Sequence, residues 1–157
     1  VFSNFSKLTE NIDNIPLNHW IIYILISGGI IFLHEFGHAS ACKKLGAEPG
    51  NIGFGFYLLS PVMFADVSDI WKLKSKERIY VNFAGLYIEI LIALVLSIIY
   101  LFVIKDISLL IINSMILFSF ILNLNPFLRY DGYWVLSDAI NTPNLRKVYI
   151  PPASDTP

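Results

Sequence analysis

A long apolar stretch of this chain holds two histidines and a glutamate, and this combination restricts the folds open to it. Between Asp13 and Lys43 the only charged side chain is Glu35, which follows His34 and precedes His38 by three residues. Helical positions four apart project from one face, so both imidazoles can share a metal ion. Because burying such groups in hydrocarbon is costly unless they are paired or ligated, the sequence predicts a metal site on a membrane helix.

The composition indicates the same environment. The chain is 55% hydrophobic and 15% charged, with a mean hydropathy of +0.63, values typical of multi-pass membrane proteins. A net charge of −1 leaves no basic face for phosphates, so we expect no nucleic-acid partner. The single cysteine, Cys42, excludes an internal disulfide and a cysteine-rich zinc site. We expect residues 1–157 to form one membrane-embedded domain, a fragment of a longer chain.

Three apolar segments predict the architecture. They cover about residues 17–42, 79–104 and 107–128, and each has the ~20 apolar residues that a membrane-spanning helix needs. Between the first two, glycines alternate with apolar residues from Gly46 to Phe56, which favours a short β-hairpin or re-entrant loop. The predicted fold class is an all-α integral membrane protein with a three-helix transmembrane core and this hairpin between helices 1 and 2.

The basic residues predict the orientation of these segments. The link between the second and third contains only Lys105, whereas the loop after the first and the C-terminal tail are rich in cations. Positive loops face the cytoplasm, so the histidines are expected in the cytoplasmic half of a multi-pass cell-membrane protein. The cations concerned are Lys43, Lys44, Lys72, Lys74, Lys76, Arg78, Arg129, Arg146 and Lys147.

A catalytic zinc site needs a third protein ligand besides the two histidines. Asp131 is favoured because it follows Asn125-Pro126, where the third apolar segment reaches a helix-breaking proline. That segment returns to the cytoplasmic side, which brings its end to the same half of the membrane as the histidines. The alternative is a simple helix end with a capping aspartate. The aspartates on the predicted side are Asp66, Asp69, Asp131 and Asp138.

These motifs together resemble the site-2 protease family of intramembrane zinc metalloproteases. The resemblance covers about residues 20–140 and depends on the segment from His34 to His38 and the later Asn125-Pro126 and Asp131-Gly132. It implies a three-helix catalytic core in which both histidines and Asp131 ligate Zn²⁺ and Glu35 is the catalytic base. The string from Arg129 to Trp134 resembles the bacterial branch linked to peptide or bacteriocin maturation, which implies the bacterial cytoplasmic membrane.

The predicted function is hydrolysis of peptide bonds in or near membrane-spanning segments of proteins or peptides, with zinc as cofactor. The expected partners are a membrane protein or peptide substrate and the lipid bilayer. The alternative is a non-catalytic membrane component, which binds metal or peptide in transport or immunity and retains the histidine motif. Glu35 favours the enzyme, because metal binding alone does not need it.

Further polar and small residues give additional predictions. The family's second helix often contains a Gly-Pro pair that is absent here, and Glu89 lies near the place of the family's asparagine. We expect Glu89 to hydrogen-bond a ligating imidazole or contact the metal; the alternative is a neutral glutamate in a helix contact. Asn123 or Asn125 could stabilise an oxyanion. Gly28-Gly29 is expected to permit close helix packing, and the alternative is that it permits the approach of substrate.

Overall fold

The computed structural model describes residues 15–57 and 60–142, except for the side chains of Tyr57 and Ser60. Arg146 and Lys147, used above to predict orientation, lie outside the described residues. The described part is mostly helical, with one two-stranded sheet. Its elements are α1 (Leu17–Lys44), β1 (Ile52–Tyr57), β2 (Ser60–Ala65), a 3₁₀ helix (Ser68–Lys72), α2 (Ser75–Phe102), α3 (Ile107–Asn123) and α4 (Asp131–Ala139).

The two long helices agree with the first two apolar segments. Helices α1 and α2 have 28 residues each, which corresponds to about 42 Å. Both are long and apolar enough to cross a membrane, by length and composition alone. Helix α2 begins four residues before the predicted segment, because the Glu77 carboxylate accepts a hydrogen bond from the Lys74 N–H at 2.9 Å and satisfies the first turn.

The third predicted crossing, 107–128, is wrong in its extent. Helix α3 ends at Asn123 after 17 residues, about 25 Å, which is shorter than the hydrocarbon core. Pro126 disfavours helical backbone at the preceding residue, Asn125. The Asn125 side chain accepts a hydrogen bond from the Phe127 N–H, which stabilises a turn where the helix would otherwise continue. A turn then leads into α4.

Helix α2 is the centre of the packing and contacts α1, α3 and α4. It approaches α1 closely at Gly37, where an added Cβ would lie 2.8 Å from Ile88 Cδ1 and 2.9 Å from the Ala84 carbonyl oxygen. The expectation of close helix packing at Gly28-Gly29 was wrong, since apart from adjacent backbone and chain neighbours in α1 no described atom lies within 4 Å of a Cβ added at either.

Helices α1, α2 and α3 share an apolar cluster at the end away from the histidines. Its buried members come from all three helices, and the Tyr23 hydroxyl donates to Ser108 Oγ at 2.9 Å across it. This cluster fixes the three helices relative to one another. Its residues are Tyr23, Ile30, Ala93, Ile112 and Ile116.

The predicted hairpin between the first two helices is confirmed. Strands β1 and β2 are antiparallel, from Ile52 opposite Ala65 to Phe56 opposite Pro61. The Phe64 ring lies against Gly53, where a Cβ would be only 2.9 Å from it, so the glycine makes room for the aromatic ring. Strand β2 contacts α1, which brings the hairpin beside the histidine-bearing helix.

The contact at Gly37 generates a stability prediction. Gly37→Ala should lower the free energy of unfolding by about 1–3 kcal/mol, because the methyl group must separate α1 from the α2 backbone. Gly28→Ala is the matched control on the same helix, and it should be neutral or stabilising by up to about 1 kcal/mol, since alanine favours helix and meets nothing there. Unfolding of the purified protein in detergent measures both, and equal effects would contradict the packing described.

Candidate metal centre

Helix α1 brings His34 and His38 together one turn apart. Both are 4% exposed, and their ring centroids are 4.8 Å apart at 75°. Their Nε2 atoms face each other at 3.0 Å. The spacing read from the sequence therefore produces a convergent pair of nitrogens inside the protein.

Asp131, the first residue of α4, lies against this pair. Its Oδ2 atom is 2.9 Å from His34 Nε2 and 3.3 Å from His38 Nε2. One potential ligand atom from each of the three residues lies within 4.8 Å of the others. Gly132 permits this placement, because a Cβ there would collide with the Leu124 carbonyl at the end of α3.

Helix α2 holds the outer nitrogens of both imidazoles. His38 Nδ1 is 2.8 Å from the Val81 carbonyl oxygen, which can only accept, so Nδ1 carries the proton and Nε2 presents its lone pair. His34 Nδ1 is 3.3 Å from Glu89 Oε1, a contact without regular hydrogen-bond geometry. Glu89 is 1% exposed, and its carboxylate also accepts from the Ser119 hydroxyl at 2.9 Å.

The donor set fits a zinc ion. A carboxylate oxygen and two imidazole nitrogens converge at 2.9–3.3 Å, and Asp131 Oδ2 is buried without a hydrogen-bond partner of regular geometry among the described residues. Lone pairs at such distances repel unless a proton or a metal cation lies between them. Tetrahedral zinc with nitrogen and oxygen ligands near 2.0–2.1 Å separates those ligands by about 3.3–3.4 Å, close to the distances observed.

Gly85 of α2 leaves the space beside the converging nitrogens open. A Cβ added there would lie 2.5 Å from His38 Nε2 and 2.6 Å from His34 Nε2. Sequence reasoning missed this residue. A glycine among large apolar residues in the middle of a helix was the available signal, but it does not indicate which neighbour needs the space.

The Glu35 side chain of α1 reaches the hairpin. Its Oε2 atom accepts a hydrogen bond from the Ala65 N–H at the end of β2 at 2.7 Å. The side chain is partly buried. The carboxylate beside His34 in the sequence is therefore held by a backbone donor of the strand that packs on α1.

The two asparagines have different hydrogen-bond partners. Asn123 donates a long hydrogen bond of 3.4 Å to Glu89 Oε1, which places it behind His34. Asn125 accepts from its own turn at the Phe127 N–H. Neither contact gives these side chains an oxyanion role, which stays a prediction.

Two of the alternative aspartates are engaged in the loop after the hairpin. The hydroxyl and backbone N–H of Ser68 donate to Asp66 and hold the pKa of its carboxyl below the usual value. Asp69 pairs with Lys72 on the 3₁₀ helix. Neither carboxylate belongs to the cluster of His34, His38 and Asp131.

Comparison with known proteins supports a relation to zinc proteases. The chain is 30% identical over 119 residues to the protein described as "Putative peptide zinc metalloprotease protein YydH" of Bacillus subtilis (strain 168). The match covers 74% of this chain and 47% of the relative, so the chain spans about half the length of the curated relative it matches. No family model matches the chain. No solved structure matches it either.

The open space at Gly85 gives a prediction for metal binding. Gly85→Ala should weaken zinc affinity by about tenfold or more, as changes next to a metal site commonly do, because the methyl group pushes on both nitrogens. Gly29→Ala makes the same chemical change where nothing lies within 4 Å and should leave the affinity unchanged. Competition with a chromophoric chelator measures both variants, and wild-type affinity in Gly85→Ala would refute the arrangement.

Proposed function

We propose that this chain is the catalytic part of a zinc-dependent intramembrane protease of the site-2 type. The observation that carries the proposal is the convergence of His34 Nε2, His38 Nε2 and Asp131 Oδ2 on an apolar helix, beside Glu35. The relation to a protein described as a peptide zinc metalloprotease supports the same chemistry. In this proposal the three residues hold zinc.

The proposed membrane location follows from the helix surfaces. In the most apolar 18-residue stretch of α1 and of α2, only 22% of the residues are buried within the protein. A core helix of a soluble protein is, by contrast, mostly buried. Large apolar side chains cover the outer faces of α1, α2 and α3, which suits lipid as their surroundings. Exposed examples are Ile24, Leu25, Leu94, Val95, Phe118 and Ile121.

The proposed topology combines three helices with a cytoplasmic site. Lys43 and Lys44 end α1 one to two turns beyond His38, and cations favour the cytoplasmic surface. In this proposal the shorter α3 completes a three-helix core, and the turn after it, which meets α4 where Gly132 lies against Leu124, would lie near the cytoplasmic surface. The metal centre would then lie in the cytoplasmic half, within reach of water from that side.

The proposed chemistry uses Glu35 as general base and acid. Zinc, when bound, supplies Lewis acidity that polarises the scissile carbonyl and lowers the pKa of water toward ~7. A carboxylate oxygen of Glu35 takes the proton of the attacking water and returns it to the leaving amine. In this proposal Glu89, whose Oε1 atom lies 3.3 Å from His34 Nδ1, keeps that ring oriented, as outer carboxylates do at metal sites.

The proposed substrate is a membrane protein or peptide whose cleaved segment has unwound. A helix hides its carbonyls in its own hydrogen bonds, so the segment must become extended before hydrolysis. Among the described residues β2 pairs only with β1, and the Ala65 N–H on its other edge points to Glu35. An extended substrate can pair with this edge, which brings it alongside the base.

Replacement of the base tests the proposal. Glu35→Gln should lower peptide cleavage by about 10²–10⁴-fold with zinc content unchanged, because the amide cannot take the proton. His34→Ala should lose zinc and cleavage together. The measurement uses the purified chain in liposomes with quenched-fluorescence peptides that contain one apolar segment, and zinc is determined by elemental analysis.

Equal cleavage by wild type and Glu35→Gln would refute the mechanism. Bound zinc without any cleavage that depends on Glu35 would instead favour the non-catalytic alternative, a membrane component that binds metal or peptide. An intact substrate retained by the wild type would favour the same alternative.

The role of Glu89 has its own test. Glu89→Gln should weaken zinc affinity by about 10–100-fold, because the amide holds the His34 ring less firmly and removes a negative charge near the cation. Ser119→Ala removes a partner of Glu89 while leaving its carboxylate in place, and should have a smaller effect. Unchanged zinc content and activity in Glu89→Gln would show that Glu89 is only part of a helix contact.

A further inference from the structure

A buried ion pair joins α4 to the beginning of α2, away from the metal ligands. Arg78 Nε and Nη2 lie 2.7 Å and 2.6 Å from Asp138 Oδ1, and the two side chains are 15% and 7% exposed. Asp138 follows Asp131 by seven residues, which is close to two helical turns, so both carboxylates project from the same face of α4.

The surroundings of this pair leave it little freedom. Asn82 Nδ2 donates to Asp138 Oδ2 at 3.2 Å, and the Ser75 hydroxyl donates to the Asp138 carbonyl. Arg78 Nη1 donates to the Leu73 carbonyl at 3.0 Å. Both carboxylate oxygens and the carbonyl oxygen of Asp138 are thus bound to side chains of α2.

Two tryptophan rings, those of Trp71 and Trp134, lie next to the ion pair. The Arg78 guanidinium lies 5.1 Å from the centre of the Trp71 ring, within the range of a cation–π contact. Trp71 in turn packs edge-to-face on Trp134 of α4 at 6.3 Å. These ring contacts add a link between the 3₁₀ helix and α4.

We infer that Arg78 and Asp138 are positioning residues that hold Asp131 against the two imidazoles. Helix α4 has nine residues, too few to be stable without packing. Its first turn is fixed by the approach of Gly132 to Leu124, and its last turn by the ion pair. Without the second anchor α4 can pivot about its first turn, which moves the Asp131 carboxylate relative to His34 and His38.

The inference rests on the proposed metal site, and a double-mutant cycle separates positioning from general destabilisation. Arg78→Met should weaken zinc affinity by about tenfold or more, because the helix bearing the third ligand loses its anchor and Asp138 is left buried without a counterion. In an Asp131→Ala background the same substitution should change zinc affinity by less than about twofold, since the ligand it positions is absent. The full chain in detergent is titrated against a chromophoric chelator.

Lys76→Met is the matched control, because it removes a positive charge from the same helix at an exposed position. It should leave zinc affinity unchanged. Arg78→Lys retains the charge but not the two contacts to one carboxylate oxygen, and should give an intermediate loss. An equal loss in both backgrounds, or no loss with Asp131 present, overturns the inference.

A second measurement does not depend on metal. In the zinc-free protein, Arg78→Met should raise amide hydrogen exchange of α4 by about tenfold or more, as expected for a segment whose local opening becomes easier, whereas Lys76→Met should not. Unchanged exchange in α4 overturns the inference whatever the zinc result. A wild-type chain that binds no zinc while Arg78→Met still loosens α4 would refute the proposed metal site and retain the anchoring role of the ion pair.

Discussion

Two imidazole nitrogens and a carboxylate oxygen meet inside an apolar protein at 2.9–3.3 Å, and the rest of the structure is organised around this contact. Such an arrangement is costly without a cation, because each lone pair has lost its solvent. Residues from three helices form this contact. Helix α1 supplies His34 and His38, α4 supplies Asp131, and α2 supplies both the acceptors behind the rings and the space at Gly85.

The sequence predicted this cluster of candidate ligands more easily than the scaffold that holds it. The spacing of His34 and His38 on one helix face is a local property. Asp131 was predicted because the third apolar segment returns to the side of the histidines and is broken at Pro126, shortly before Asp131. The ion pair of Arg78 and Asp138 spans 60 residues, and no local pattern indicates which of many surface charges will be buried together. Relations of this kind depend on tertiary packing.

Predictions based on segment length and small residues were less reliable. Hydropathy continued through Leu128, but Pro126 and the Asn125 side chain ended α3 at Asn123. Gly28-Gly29 looked like a packing site, yet the helices meet closely at Gly37. A glycine in an apolar helix shows that a close approach is possible, whereas the crossing point is decided by the neighbouring helix.

The two glutamates on either side of the histidines have different surroundings, and these suit different tasks. Glu89 of α2 is buried between α1 and α3, with Ser119 and His34 beside one oxygen, so it is suited to a fixed orientation. Glu35 is held by a single hydrogen bond from Ala65, on a strand whose outer edge has no other strand beside it among the described residues. In the proposed reaction an extended substrate that pairs with β2 competes for the Ala65 N–H. Substrate binding would then release Glu35 from the hairpin at the moment when a free carboxylate is needed to take a proton.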